Sequence, residues 1–486
     1  MQFYHFNRRK FITLLGGAAV AWPLVARAQS AGMIVPPPPL PPNPIAGVTL
    51  RDVDGGSNYY ARNGFTYAAA MGWDSPSYFP IGVWNGTLTT QADADLLVNL
   101  GVNFLAGIGP SFMPPDQIAL FVANNIALIA QADDALAIAE DTPIWVGNTT
   151  QDEATTFADG VSSYLSTATN ARQDKRFWHY NGNWFFFKPV SVSGGLDPFP
   201  ADVALSTPVR TPNGTNRHID LASTDLYWFA GAKPAPPVGF VLGAGGNLFL
   251  GGTGMTPDEA ARGCRYGDMV DLMRPMQAGH FPAPIGQFIE NGGPYTEDTT
   301  AGSYIFPAEM NAAIWSSIMH GARWLIYFNH TFAGPGGAGG DISTNNFGNA
   351  YYQTPQVGQP ISINDQAKAT NALVKSLAPV INAPFALGFA TVSAAGWKFG
   401  DAGPTNINAG FDIMTKYGSG KFYIFAMPRY SATLTNQTAT FRIKTVPGAT
   451  IATVINEART ILLTNGGTQF ADSFATANTV HIYRID

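Results

Sequence analysis

From Phe79 to Leu377 short apolar runs, bounded by Gly, Asn or Asp, take turns with longer segments of helical period. That rhythm constrains the fold more than any other feature of the chain. The apolar runs are Phe79–Trp84, Asn103–Gly107, Ile126–Ala130, Pro143–Gly147, Phe177–Tyr180, Ile219–Asp225, Ile285–Ile289 and Trp324–Phe328. Between the first two, Leu96, Leu97 and Leu100 share one helical face, and Pro114-Pro115-Asp116 opens the next helix with proline in the first turn. Further helices are expected over 154–171, from the capping box Thr256-Pro257-Asp258-Glu259 to about Met276, over Pro307–His320 and over Asn364–Leu377. Eight such units over about 300 residues match the size of a (β/α)8 barrel, the α/β class of TIM barrels. A doubly wound open sheet is the rival. It is disfavoured because Gly82-Val83-Trp84-Asn85-Gly86 lacks the glycine spacing of a dinucleotide loop.

Both ends differ in texture from this repeat. Residues 1–28 read as a signal peptide: Arg8-Arg9-Lys10-Phe11 gives a paired-arginine start, Leu14 to Val25 an apolar run, and Ala26-Arg27-Ala28 a cleavage site. The arginine pair points to the twin-arginine route. The apolar run falls short of the roughly 20 residues that span a bilayer, so a periplasmic or secreted protein without stable membrane insertion is expected. Residues 29–46 form a Pro-rich linker, stiff through 36–44. The barrel is expected over 47–384, with a preamble of short strands at 47–78. Residues 385–486 hold β-rich runs at turn-separated spacing, such as Phe422–Ala426, Thr438–Ile443, Thr450–Val454 and Val480–Tyr483. They indicate a C-terminal antiparallel β-sandwich.

Loss of the leader removes four positive charges and takes the formal net charge from −6 to −10. That balance disfavours nucleic acid and anionic membranes as partners. Charged residues make up only 12% of the chain while aromatic residues also reach 12%, with ten Trp, which suits a large core and aromatic platforms for a neutral substrate. Cys264 is the single cysteine, so no intrachain disulfide forms, and its place inside a helix marks it as packed rather than reactive. No H-E-x-x-H spacing and no G-x-S-x-G elbow occurs. Neither a metal nor a cofactor is expected.

In a (β/α)8 barrel the active site lies at the C-terminal ends of the strands. The candidates are therefore Asp133 and Asp134 after strand three, Asp152 and Glu153 after strand four, and His179 on strand five. Asp225, Tyr227 and Trp228 follow strand six, Glu290 ends strand seven, Asn329 and His330 end strand eight, and Trp84 ends strand one. A carboxylate directly after Phe288-Ile289, with Asn291-Gly292-Gly293-Pro294 behind it, has little packing reason to be there.

These residues resemble the large clan of (β/α)8 glycoside hydrolases that carry one catalytic carboxylate after strand four and the other at strand seven. The resemblance spans roughly residues 79 to 330, plus the appended sandwich. It is carried by Phe79–Trp84, by Trp145 followed by Asp152-Glu153, by Asp220 to Tyr227, by Phe288–Gly292 and by His320–Phe328. It implies Glu153 as acid/base and Glu290 as nucleophile of a retaining two-glutamate mechanism on a poly- or oligosaccharide. It also implies Trp84, Asp133, His179, Asp225, Tyr227, Trp228, Asn329 and His330 as substrate-binding residues, with Tyr227 a candidate partner of the nucleophile. The sequence departs from the clan at two places: Asp152 stands where many members have asparagine, and Ala154 where proline often follows. Those departures keep open a barrel that binds glycans without cleaving them.

Overall fold

The computed structural model describes residues 37–84, 88–108, 114–131, 142–149, 176–182, 220–225, 227–229, 261–276, 283–292, 305–328, 350–393, 410–429, 435–455 and 457–486, together with 347 and the residue pairs 191–192, 195–196, 241–242, 248–249 and 397–398.

Eight parallel strands close into a barrel. In chain order they are β1 (Ile81–Trp84), β2 (Phe104–Ile108), β3 (Ala127–Gln131), β4 (Trp145–Thr149), β5 (Phe177–Gly182), β6 (Leu221–Thr224), β7 (Ile285–Glu290) and β8 (Trp324–Phe328), and β8 pairs back onto β1. The helices described around them include α1 (Gln91–Asn99), α2 (Pro115–Asn124), α3 (Cys264–Met276), α4 (Pro307–Met319) and α5 (Ile363–Ser376). The eight expected strands are all present. β4 starts two residues later than the apolar run predicts, because Pro143 and Ile144 form a turn closed by Trp145 N–H to Thr142 O at 3.3 Å. Proline has no N–H to give a ladder. Helix α3 begins at Cys264 with residues 261–263 outside it, so the Thr256–Glu259 box, itself outside the described residues, does not start it directly. The helix expected over 154–171 also lies outside the described residues.

The barrel closes on a pattern of empty and full positions. Gly82 on β1, Gly147 on β4 and Gly286 on β7 stand in register beside Phe104, Phe177 and Trp324, the first residues of β2, β5 and β8. A Cβ on those glycines would come within 2.2, 2.2 and 2.0 Å of the neighbouring ring. Each ring therefore lies over its neighbour's bare backbone and fills the lower barrel, where small and large residues must alternate to interdigitate. Tyr59, Tyr60, Phe65 and Trp73 join the same apolar cluster from below. Residues 47–78 thus differ from the preamble of strands that the sequence predicts: 59–62 and 66–70 are short helices that plug the barrel floor. Their one strand, Thr49–Arg51, pairs instead with Phe385–Leu387 beyond the barrel.

That second region is an antiparallel sandwich. Its strands are β9 (Phe385–Leu387), β10 (Ala390–Val392), β11 (Phe411–Gly418), β12 (Lys421–Pro428), β13 (Thr435–Ile443), β14 (Ile451–Val454), β15 (Arg459–Leu462), β16 (Gln469–Thr476) and β17 (His481–Ile485). The larger sheet runs Thr49–Arg51, β9, β11, β12, β17, β14, β15, with the short strand Trp397–Lys398 parallel to β11, and the smaller β10, β13, β16. Phe411, Phe441, Phe470, Phe474 and Tyr483 fill the space between the sheets. The outer face of the larger sheet, with Met414, Phe425 and Ile482, packs on the barrel helices, and Phe425 meets Trp315 of α4 at 5.9 Å.

Charges are buried at this second contact. Arg429, just past β12, pairs with Asp412 of β11 at 2.6 Å and with Asp268 of α3 at 2.9 Å. Arg265 reaches Asp268 at 3.1 Å, and His320, at the end of α4, pairs with Asp271 at 2.8 Å and Asp412 at 3.2 Å. Arg274 of α3 adds pairs to Asp271 at 2.8 Å and Asp54 at 2.9 Å, so among the described residues four cations face four carboxylates, and breaking one partner leaves an uncompensated charge in the interface. Burial by itself would lower the His320 pKa, but Asp271 and Asp412 outweigh it and lift the imidazole from 6.5 to about 9. Arg429 and His320 likewise hold the Asp412 carboxyl below its ordinary value against burial.

Two outcomes follow from these contacts. The folded state favours protonated His320, so its contribution is complete below pH 6.5 and lost as pH rises through about 9. The melting temperature should fall across that window by the equivalent of about 3 kcal/mol, and His320→Gln should flatten the fall. Parallel curves for the two proteins would count against it. Gly286→Ala should cost about 1–3 kcal/mol or more in denaturant unfolding, because the Trp324 ring is enclosed and has nowhere to move.

Candidate active site at the barrel mouth

Side chains alternate in and out along a strand, so each barrel strand offers every second residue to the interior. The lower and middle inward positions are mostly apolar: Phe104, Ala106, Ala127, Ile129, Phe177, Leu221, Phe288, Trp324 and Ile326 form one cluster. The last inward positions are different. They are Gln131 on β3, Thr149 on β4, Asn181 on β5, Asp225 just past β6 and Glu290 on β7, with Phe328 on β8. Polar groups are thus collected at the C-terminal mouth, above an apolar floor.

Glu290 is fully buried. Its Oε1 accepts the backbone N–H of Phe229 at 2.7 Å and a short hydrogen bond from the Tyr266 hydroxyl. The same hydroxyl accepts the backbone N–H of Trp228 at 3.3 Å, and the Tyr266 ring stacks on Phe229 with centroids 6.4 Å apart. Helix α3 and the segment after β6 therefore converge on one carboxylate oxygen. Donors to the ionised form favour it and fix its direction. A carboxylate so held is suited to act as a nucleophile or as an electrostatic stabiliser of positive charge.

A second polar array crosses β4, β5 and β6. Thr149 Oγ1 lies 3.2 Å from His179 Nδ1, His179 Nε2 lies 2.7 Å from Ser223 Oγ, and the Ser223 hydroxyl donates to Asn181 Oδ1 at 2.9 Å. Serine has one proton to give. Since that proton goes to Asn181, Ser223 accepts from His179, whose proton sits on Nε2, and Nδ1 accepts from Thr149. Burial pushes the His179 pKa down to about 3, so the ring is neutral. The ring also stands edge-on to Trp324, with centroids 4.9 Å apart.

The other sequence-predicted residues are placed as follows. Trp84 ends β1 and is buried, its ring 5.3 Å from Phe288 and lying over Gly107, whose φ of +76° and missing Cβ make room for it. Tyr227 lies against Phe328 at 4.9 Å, and the phenol that meets Glu290 is Tyr266. Trp228 is buried beside Tyr266. Asp225 is buried, and its N–H continues the β5–β6 ladder to Gly182 O at 3.1 Å. His179 is enclosed, with both ring nitrogens engaged inside the barrel. Asp133, Asp134, Asp152, Glu153, Asn329 and His330 lie outside the described residues. β4, which leads toward Glu153, ends at Thr149, so only residues 150–152 intervene. Among the described residues no group of His, Cys, Asp and Glu has the arrangement of a metal site, and no helix is long and apolar enough to cross a membrane.

The sequence reading missed Tyr266, Gln131, Thr149, Asn181 and Ser223. For the last four a signal existed, namely polar residues at period-two positions in otherwise apolar strands. Tyr266 gave none, because a tyrosine inside a helix reads as packing.

No family model matches the chain, and no curated protein matches it in sequence. Among solved structures, a glycoside hydrolase aligns with a TM-score of 0.46 and 9% identity over 84% of this chain and 92% of its own. A glycoside hydrolase family 5 protein from Bacteroides vulgatus gives 0.45 and 9% identity, covering 84% of this chain and 89% of that one. Eubacterium rectale Amy13B gives 0.43 and 10%, covering 84% and 96%. The barrel itself rests on the strand pairing of this chain.

Side-chain nitrogen NMR offers a check on the array. His179 should stay neutral with its proton on Nε2 from pH 8 down to about pH 4. An imidazolium signal above pH 5 would overturn the assignment.

Proposed function

We propose that the chain is a glycosidase that hydrolyses a poly- or oligosaccharide with retention, Glu290 attacking the anomeric carbon. The observation that carries the reading is the placement of Glu290: a buried carboxylate at the C-terminal end of the seventh barrel strand, held by the Tyr266 hydroxyl and the Phe229 N–H. In the mechanism, Glu290 forms the glycosyl bond as the leaving oxygen takes a proton. Glu153 is the proposed acid/base, giving that proton and then taking one from the water that frees the sugar. Its support is sequence: it follows β4 by a few residues, across the barrel from β7. The fixed hydrogen bonds keep the Glu290 oxygens from turning during attack, which lowers the reorganisation the reaction needs. Asp225, Tyr227 and Trp228, and Asp133, Asn329 and His330 from sequence, are proposed to line the sugar site, and Trp84 to support it from below. Export through the twin-arginine route, with action in the periplasm or outside the cell, is part of the same proposal and rests on residues 8–28.

The test is a reducing-end assay of mature protein and Glu290→Gln on plant and bacterial polysaccharides. Activity in the parent that drops about 10⁴-fold or more in the variant is expected, with first-formed product of unchanged anomeric configuration by NMR. Inverted product would remove the nucleophile role. Silence from both proteins, with one glycan still bound, would favour a barrel that only binds.

A further inference from the structure

Tyr266 sits near the start of α3, and its hydroxyl reaches Glu290 Oε1 on β7 from that helix. Its aim therefore depends on how α3 is turned about its axis and where along that axis it stands. Toward α4 the chain presents Gly263, just before α3, and Gly267. A Cβ at Gly263 would lie 2.6 Å from the Ala312 Cβ, and one at Gly267 2.3 Å from the His320 ring. The Gly267 N–H donates to Ser316 Oγ at 3.1 Å. Bare backbone permits this close approach but offers no ridge to a neighbouring groove, so the contact resists separation better than turning or sliding. The stop comes from another side. Asp268 lies two residues past Tyr266, about 200° around the helix, and both its oxygens accept from Arg429 Nη2 at 2.9 Å. Arg429 Nη1 donates to Asp412 at 2.6 Å and its backbone N–H to Gly410 O at 2.9 Å, so the guanidinium is anchored in the sandwich by side chain and backbone alike. Asp268, Arg429 and Asp412 are all buried.

We propose that Arg429 is a positioning residue for the reaction: by holding Asp268 it fixes the rotation of α3 and so keeps the Tyr266 hydroxyl on Glu290. This rests on the reading of Glu290 as the nucleophile. A rotation of about 20° carries a side-chain tip about 5–6 Å from the helix axis through about 2 Å. That is enough to break a hydrogen bond, whose length varies by only about half an ångström. Apolar packing is non-directional and tolerates such a turn. A forked guanidinium that joins carboxylates of two elements holds distance and angle together. Loss of the grip loosens the carboxylate during attack, which slows the chemical step more than it weakens sugar binding.

The test uses three variants of the full chain. Asp268→Asn keeps the side-chain shape and removes the charge; Arg429→Lys keeps a cation without the fork, and serves if the first does not fold; Tyr266→Phe removes the hydroxyl itself. Between about pH 4 and pH 8 His320 stays protonated, so Asp271 and Asp412 keep that partner throughout. One readout is kcat and KM on the polysaccharide that the parent cleaves. The other needs no turnover: a carbon NMR titration of the Glu290 carboxyl, its signal assigned with Glu290→Gln. Tyr266→Phe should lower kcat by about tenfold or more with KM little changed, and raise the carboxyl midpoint by about one pH unit, since a donor to the ionised form is lost. Asp268→Asn and Arg429→Lys should act in the same direction by a smaller factor, and neither should add to the effect of Tyr266→Phe. An interface that only stabilises would lower the melting temperature and leave the Glu290 midpoint in place. An unmoved midpoint, or effects that add to those of Tyr266→Phe, overturn the inference while cleavage by the parent keeps the glycosidase reading. If the parent cleaves nothing and the midpoint still follows Asp268 and Arg429, the positioning role stands and the glycosidase reading alone falls.

Discussion

Three glycines set the shape on which everything else in the barrel depends. Gly82, Gly147 and Gly286 leave bare backbone where Phe104, Phe177 and Trp324 lie down, and these rings fill the lower interior almost without help. Tyr60 and Trp73 then seal the floor, each within 5.7 Å of the Phe177 ring centroid. Burial of aromatic rings on this scale contributes several kcal/mol each. Because apolar volume is concentrated low, the upper interior is left for smaller and more polar side chains. The barrel is thereby divided into a floor that stabilises and a mouth that is costly to keep.

The cost at the mouth is what makes its residues informative. An isolated buried carboxylate is unfavourable by far more than one hydrogen bond returns, whereas two donors to a charged oxygen restore about 1.5–3 kcal/mol each. Among the described residues Tyr266 and Phe229 donate to Glu290 and offset part of that cost. A glutamine or leucine there would serve packing as well or better. The carboxyl sits at a strand end that faces the mouth, the place the proposed nucleophile needs.

Much of the fold was legible from the order of short apolar runs and helical segments, because in-facing and out-facing residues of a buried parallel strand are both apolar and the run stands out. Strand ends were harder. β4 began at Trp145 rather than Pro143 because proline cannot join the ladder, a rule available from sequence but applied only to helix starts. The preamble misled for another reason: Thr49–Arg51 finds its partner more than 300 residues later, at Phe385–Leu387, and no local pattern encodes that pairing. At the site, Glu290 was readable because its strand neighbours are apolar and it is not. Tyr266 was not, since its role depends on which face of α3 meets β7, and that is fixed by tertiary packing alone.

The sandwich enters the site through that same helix. Tyr266, which holds Glu290, lies two positions before Asp268, which Arg429 of the sandwich grips at 2.9 Å together with Asp412. One turn further along α3, Asp271 is held by His320, which also faces Asp412. Rotation or sliding of α3 would move the Tyr266 hydroxyl from the carboxylate and at the same time pull buried charges apart. Separating a buried pair costs about 3–5 kcal/mol, more than a single exposed contact could resist. The ionic interface is therefore not only glue between two regions. It fixes the axial position of the helix that aims the hydroxyl, and so couples the sandwich to the geometry of Glu290 without touching the mouth of the barrel.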